Sequence, residues 1–388
     1  MQKQLIVGVA GAGAMGSGIA QVAAFAGCRV VLFDPFQKSL DKASESIHSS
    51  IAKMVEKGKL DASGSAAIQS AITFTANPEE LRSSDIIIEA IIENLEVKKD
   101  LFSKLEAVVS DQCILATNTS SLAVVAVASA CRNRERVVGI HFFNPAFLMP
   151  LVEIIPAFTT SDITTLKAKE IIDSWGKVTV LAKDTPGFIV NRIARPFYGE
   201  AIRIYEEGIA GMEDIDEAMR AAGGFRMGPF ELMDFIGNDI NYKVTETVWE
   251  QMFFDPRYKP SLTQKRLFEA GLFGKKSGRG YYDYTTGATR REPEQNPVKS
   301  KYIFERILAM LINEAADAMY LGVASRDDID TAMTKGVNYP NGLLKWADEF
   351  GIRKVVGIID ALRDDYADGR YRTSLLLKKM VAENRSFY

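Results

Sequence analysis

Two residue types that carry much of enzyme chemistry are scarce in this chain: its 388 residues include three cysteines and two histidines. Cys28, Cys113 and Cys131 are scattered with no paired spacing, which argues for a reducing compartment and against a zinc site. Neither sign of charge is in excess: 47 basic against 50 acidic residues leave a formal net charge of −3. No global field therefore draws the protein to nucleic acid or to a membrane surface. No apolar run is long enough to cross a bilayer, and the opening MQKQLIVGV enters a strand at once, with no signal-peptide or basic leader pattern. The cytoplasm is the expected compartment. What is present is ordinary globular composition, 47% hydrophobic and 25% charged, in a chain long enough for two or three domains.

With so few histidines, their positions are informative. His141 ends an apolar, strand-like run inside VVGIHFFNPAFLMPLVEII, and Glu153 lies twelve positions later in a second such run. Breaks at Asn144, Pro145 and Pro150 predict an antiparallel return that brings the carboxylate against the imidazole. Such a pair is general-base hardware, because imidazole titrates near neutrality and a close carboxylate orients it and stabilises its cation. Taken alone, it reads more readily as a capped core histidine beside a surface glutamate; the flanking motifs reverse that preference. The other histidine, His48, sits in a polar helical stretch with no acid motif around it and is given no role.

A strand over residues 5–10 runs into Gly11-Ala12-Gly13-Ala14-Met15-Gly16, then a helix with Met15, Ile19, Val22 and Ala26 on one face, then a strand over 30–33 that finishes on Asp34. In that setting Gly11 permits a tight turn, Gly13 lets backbone approach a pyrophosphate, and Gly16 lets helix pack on strand. The helix N-terminus supplies N–H groups and positive dipole to phosphate. Strand, glycines, helix, strand and acid arriving in order predict a dinucleotide site. Asp34, with no arginine just after it, accepts from a ribose 2′-hydroxyl and repels a 2′-phosphate, which favours NAD over NADP.

The alternation continues with strands at 71–75, 85–90 and 113–116. Glu93, Lys98 and the run Thr117-Asn118-Thr119-Ser120-Ser121 follow at carboxyl ends of strands, where open α/β sheets bind ligands. Two plainer readings stand beside this one: Glu93 and Lys98 as a solvated surface pair, and Ser120 or Ser121 as a cap for the helix LAVVAVASA. Between the second and third strands a long helical insert, 37 to about 58, carries Lys38, Lys42, Lys53 and Lys57. It is either a solvated face or a reach over the site that offers Ser50 and Lys57 to a phosphorylated substrate. A helix to Trp175 and a last strand at 178–181 close this part. At Asp184-Thr185-Pro186-Gly187 amphipathic helices take over, setting a boundary near 184.

The helical part repeats itself. Arg192, Glu200, Gly208, Asp214, Asp216, Met219, Gly228, Asp234 and Gly237 recur as Arg306, Glu314, Gly322, Asp328, Asp330, Met333, Gly342, Asp348 and Gly351, at a constant shift of 114 positions. A register held over that span marks two tandem copies of one helical unit. The expected divisions are 1–184, 185–284, a Gly-, Pro- and charge-rich linker at 285–299, and 300–388. Asn191 precedes the arginine of the first copy, whereas the second has Glu305 there.

The runs GAGAMGSGIA, EAIIENLEVKKDLF, TNTSSL, GIHFFNPAFLMPLVEII, DTPGFIVNRI, EDIDEAM, MGPFELMDFIG and FGKKSGRGYYDY together resemble the L-3-hydroxyacyl-CoA dehydrogenase family, from residue 5 to about 284; the second helical copy resembles the family's C-terminal domain again. Tandem C-terminal domains are familiar there, in some bacterial 3-hydroxybutyryl-CoA dehydrogenases among others. The resemblance implies an α/β Rossmann-like N-terminal domain followed by an all-α C-terminal unit duplicated in tandem. It also implies reversible NAD-dependent oxidation of a 3-hydroxyacyl-CoA.

Carried across by position, the catalytic pair falls on His141 and Glu153, the substrate-side serine on Ser120 and the helical-domain asparagine on Asn191. Cofactor contacts fall on Gly11, Gly13, Ala14, Met15, Gly16, Asp34, Glu93, Lys98, Ser120, Asn144 and Lys276. Coenzyme A contacts fall on Ser50 and Lys57, which raises the second reading of the insert. No metal is implied. The partner is an acyl-CoA thioester, and the state is monomer or homodimer, with the second copy reducing the need to dimerise. Two departures stand out: Phe147 occupies the loop where relatives usually carry a second proline, which bears on acyl-pocket shape, and the second copy, reading YPNGLLKW without the asparagine, is expected to be structural. A short-chain substrate such as 3-hydroxybutyryl-CoA is expected. The alternatives are a dicarboxylic thioester such as 3-hydroxyadipyl-CoA, a free hydroxy acid, or a catalytically silent NAD-binding protein.

Overall fold

The computed structural model describes residues 4–388, and the chain divides between Thr185 and Pro186 into two compact units. The first unit contains strands β1 (Ile6–Ala10), β2 (Arg29–Phe33), β3 (Ile72–Thr75), β4 (Ile86–Glu89), β5 (Ile114–Thr117), β6 (Val137–Phe142), β7 (Leu151–Pro156) and β8 (Val178–Leu181). They form one sheet in the order β3-β2-β1-β4-β5-β6-β7-β8. Neighbours run parallel except β6 and β7, which are antiparallel. Helices α1 (Ala14–Phe25), α2 (Gln37–Glu56), α3 (Ala62–Ser70), α4 (Leu95–Val108), α5 (Val124–Ala128) and α6 (Asp162–Ser174) make the connections. Two apolar clusters, one on each side of the sheet, cover strands whose Val and Ile runs are buried on both faces. The winding reverses between β1 and β4, so the carboxyl ends of these strands border the crevice where such sheets hold ligands.

One local expectation is overturned. Neither Ser120 nor Ser121 caps α5, whose N-cap is Ala123 with no side-chain bond. The Asp184 carboxylate does this from sixty residues away, accepting from the Val124 and Val125 N–H groups at 3.0 and 2.9 Å. Both serines are held elsewhere, by Glu93. Helix α3, capped by Asp61, also went unforeseen: its sequence ASGSAAIQS is too small and polar to show a face, and it buries only Ile68.

The second unit is helical: α7 (Val190–Ile193), α8 (Arg195–Glu206), α9 (Met212–Gly223), α10 (Pro229–Ile236), α11 (Asn238–Gln251), α12 (Leu262–Glu269), α13 (Pro297–Tyr320), α14 (Arg326–Gly336), α15 (Leu343–Phe350), α16 (Ile352–Tyr366) and α17 (Leu375–Glu383). The repeat is visible as geometry. Asp216 accepts from the first N–H groups of α10, Phe230 and Glu231, and Asp330 does the same for Leu344 and Lys345 of α15. A β-carbon on Gly228 would lie 2.3 Å from Asp216 Cα, and one on Gly342 2.4 Å from Asp330 Cγ, so each glycine keeps its cap in contact. Asp234 accepts from the Tyr281 and Tyr282 N–H groups, and Asp348 from those of Phe387 and Tyr388. Residues 285–296 are irregular but tied down: Arg291 pairs with Asp214 at 2.6 Å, and Arg290 with Glu231 at 2.7 Å.

The two copies meet through their repeated ion pair. Arg192 Nε donates to Glu314 at 2.7 Å, and Arg306 Nε donates to Glu200 at 3.1 Å, so each copy's arginine reaches the other copy's glutamate. All four are at most 2% exposed. Each glutamate also has a second arginine, Arg203 beside Glu200 and Arg257 beside Glu314, so losing Arg306 removes one of two cations from Glu200. Arg306→Ala therefore lowers stability by about 1.5–3 kcal/mol in urea denaturation, the range for a buried hydrogen bond to a charged group. A loss below about 1 kcal/mol would show that this pair does not hold the copies together.

Candidate active site

The site is assembled at the carboxyl ends of β1, β4, β5 and β6. Gly11 adopts φ +112°, and a β-carbon there would meet the Ala90 carbonyl oxygen at 2.6 Å; one on Gly16 would stand 1.8 Å from the Gly11 oxygen. Neither position tolerates a side chain, whereas Gly13 faces open space with nothing within 4 Å of where its β-carbon would be. Gly13 is also the N-cap of α1, which has no side-chain cap and no acidic residue in its first turn. An uncapped helix start beside an open glycine fits the pyrophosphate of a dinucleotide, with Ala14 and Met15 opening the helix. Asp34 lies at the end of β2, its carboxylate accepting from Ala12 N at 2.9 Å and Phe36 N at 3.0 Å, which fixes it beside the loop.

His141 and Glu153 are directly opposed in the antiparallel β6–β7 ladder, so their side chains share one face. His141 Nδ1 lies 2.7 Å from Glu153 Oε2; the imidazole is 5% exposed and the carboxylate fully buried. Asn118, expected at the ligand-binding end of the sheet, instead ties this strand to its neighbour: its side-chain oxygen accepts from Phe142 N at 2.8 Å. That bond joins the turn carrying Ser120 to the residue after His141. Asn144 is exposed in the loop after β6.

Glu93 and Lys98 are not a solvated surface pair. Lys98 is 1% exposed, its Nζ 2.6 Å from Glu89 and 3.3 Å from Glu93. Glu89, fully buried at the end of β4, also accepts from Thr117 Oγ1 and Ile91 N, both at 2.7 Å. Glu93 Oε1 in turn accepts from the Thr119 hydroxyl at 2.6 Å and from the N–H groups of Ser120 and Ser121 at 3.0 and 3.1 Å. One chain of charge thus runs Glu89, Lys98, Glu93, Thr119-Ser120-Ser121. Glu89 was missed because DIIIEA reads as an apolar strand with an incidental acid at its end; the nearby Lys98 was the available clue.

Ser50 and Lys57 line a groove of about 380 Å³ together with Lys53, Lys59, Phe147 and Leu148. Gln21 of α1 donates to Ser50 Oγ at 2.9 Å, which connects the insert to the glycine-loop helix. Asn191 and Lys276 belong to the helical unit; Asn191 lies in α7, and Lys276 Nζ is 2.6 Å from the Asp239 carboxylate.

Burial opposes ionisation of Glu93, but the Lys98 charge and the hydrogen bonds from Thr119, Ser121 and Ser120 outweigh it, and its pKa falls below the ordinary glutamate value. A lowered acid contributes stability that is complete above the unfolded pKa, about 4.3, and is lost as pH falls through the lower folded value. Glu93→Gln is thus expected to flatten the acid limb of a stability-against-pH curve measured by urea denaturation; an unchanged limb would contradict the network.

Comparison with known proteins places this geometry. Residues 6–185 match the 3-hydroxyacyl-CoA dehydrogenase NAD binding domain, and residues 187–284 and 302–386 each match the 3-hydroxyacyl-CoA dehydrogenase C-terminal domain. The chain is 36% identical to the 3-hydroxyadipyl-CoA dehydrogenase of Escherichia coli K12 over 96% of both chains. It is 42% identical to a probable 3-hydroxybutyryl-CoA dehydrogenase of Deinococcus radiodurans over 71% of this chain and 99% of the relative. The crystal structure of 3-hydroxybutyryl-CoA dehydrogenase from E. coli K12 superposes with a TM-score of 0.92 at 35% identity, covering 98% of this chain and 99% of the other. Matched over both of its units, with a dinucleotide loop and an opposed His–Glu pair, the chain belongs to the 3-hydroxyacyl-CoA dehydrogenase family.

Proposed function

We propose that this enzyme oxidises a short-chain L-3-hydroxyacyl-CoA such as 3-hydroxybutyryl-CoA, with His141 as general base. The observation that carries the reading is the 2.7 Å contact between His141 Nδ1 and Glu153 Oε2. A carboxylate can only accept, so Nδ1 keeps its proton and Nε2 bears the lone pair that takes the proton of the substrate hydroxyl. Glu153 fixes the ring and favours the imidazolium that results. Bound NAD supplies the hydride acceptor. Ser120, held through its N–H by Glu93, donates to the substrate hydroxyl or to the keto oxygen as it forms. The roles of Asn191 toward substrate and of Lys276 and Asn144 toward cofactor rest on their motifs alone.

The groove at Ser50 and Lys57 supports a coenzyme A site, because Lys53, Lys57 and Lys59 offer positive charge for its phosphates along one wall while Phe147 and Leu148 give an apolar wall. One observation favours a second reading: the E. coli relative matched over 96% of both chains is named a 3-hydroxyadipyl-CoA dehydrogenase, a dicarboxylic thioester. The reciprocal Arg–Glu pairs support a chain whose second helical copy occupies a dimer partner's place, hence a monomer. The three cysteines are buried and unpaired, which suits the cytoplasm.

His141→Ala is expected to lower kcat at least about 100-fold with NADH affinity unchanged, and Glu153→Gln at least about tenfold; near-normal turnover of the first variant would reject the base assignment. Assayed with NADH or NADPH and 3-ketoacyl-CoA thioesters of graded length and terminal charge, the protein should prefer NADH and a four-carbon acyl chain, and a preference for an ω-carboxylate would select the second reading. Light scattering should return the 42.8 kDa of one chain, and a salt-resistant dimer would contradict the monomer.

A further inference from the structure

A second groove, about 210 Å³, lies wholly within the helical unit and has no part in the chemistry above. Its walls carry Arg195, Arg203, Arg257, Lys259 and Arg370, with Glu206 as the acidic member. Two of the five cations are spoken for: Arg257 pairs with Asp255, Glu314 and Asp317, and Arg203 with Glu200 at 2.5 Å. Glu206 is occupied by the Thr263 N–H and hydroxyl at 3.2 and 2.7 Å.

Arg195 is different. It is 7% exposed, and among the described residues no carboxylate lies within ion-pair distance of it. Its partners are neutral: the carbonyls of Asn191 and Asn241, the Thr245 hydroxyl and the face of Tyr198. Burial lowers its pKa for the same reason, since nothing of opposite charge offsets the loss of water. Arg370 repeats the pattern in part: one of its terminal nitrogens meets Asp368 at 3.0 Å, but its buried Nε has no hydrogen-bond partner among the described residues. Burying a guanidinium without a counter-charge is unfavourable unless an anion arrives from outside to complete it.

Pro260, Ser261 and Leu262 line the groove where α12 begins, but the first N–H groups of that helix are already taken, Thr263 by Glu206 and Gln264 by Ser261 Oγ, so the arginines are what an anion would meet. The charge also breaks the repeat: at the shift of 114 positions Arg195 corresponds to Ala309 and Arg203 to Asp317, so the second copy carries neither guanidinium. Arg370, from the loop between α16 and α17, closes the first copy's groove from the second copy.

We infer that this groove is a binding site for a compact oxyanion, a phosphate or carboxylate group, held by Arg195, Arg370 and Lys259 at the seam between the two helical copies. Planar guanidinium groups donate in parallel to the oxygens of either group, and a seam site lets the anion strengthen the contact between copies.

The test is isothermal titration calorimetry on the full chain with inorganic phosphate and, separately, adipate. One saturable site for either anion is expected, weakened about tenfold by Arg195→Gln and at least about threefold by Arg370→Gln, with Lys57→Gln unchanged. Phosphate binding alone would assign a phosphate-bearing ligand, and adipate alone a carboxylate. Should Arg195→Gln fail to fold, the half-buried Arg370→Gln carries the comparison. The inference is overturned if neither anion saturates, if folded variants at 195 and 370 bind as the parent does, or if Lys57→Gln abolishes the binding, which would place the anion in the coenzyme A groove.

Discussion

Glu153 is fully buried, and one of its carboxylate oxygens lies 2.7 Å from His141 Nδ1. The two residues face each other across the single antiparallel step in an otherwise parallel sheet. That step is what makes the pair possible: a parallel continuation would need a long crossover and would not set these two positions side by side. Strand β7 returns at once through the loop holding Asn144 and Pro145, so the imidazole and its carboxylate are fixed by a backbone ladder rather than by loop geometry. The glycine turn, the serine turn and the groove at Ser50 and Lys57 belong to the same unit as that rigid edge.

The polar ends of the neighbouring strands are held by a different device. Lys98, sunk from α4 into the sheet's end, joins Glu89 to Glu93, and Glu93 gathers the N–H groups of the serine turn. Buried charges of this kind contribute little net stability, but each member fixes the next in direction. Ser120 therefore takes its position from a network that begins one strand away. Asn118 adds the link to β6.

Much of this was legible in the residues. The eight strands, the long insert, the antiparallel return and the helical repeat all follow from periodicity, breakers and a constant shift. The repeated positions prove to be the ones with fixed geometric duties: Asp216 and Asp330 as caps, Gly228 and Gly342 as points of contact, Arg192 with Glu314 and Arg306 with Glu200 as exchanged partners. What stayed hidden are pairings between residues far apart in sequence. Asp184 capping α5, Asn118 reaching Phe142 and Glu89 receiving Lys98 each need the folded sheet to bring the partners together. Periodicity records which face a residue occupies; it carries no information about which polar group from another strand will meet it there. The uncompensated Arg195 is the extreme case, since its significance lies in a carboxylate that is absent from its surroundings among the described residues.

Because the chain has only two histidines, the central claim can be read directly. Nitrogen-15 NMR of histidine-labelled protein reports which ring nitrogen of His141 carries the proton in the neutral form. The parent protein is expected to hold the Nδ1–H tautomer and Glu153→Leu, which removes the acceptor, to lose it; an Nε2–H tautomer in the parent, or a spectrum that Glu153→Leu leaves unchanged, would contradict the pairing.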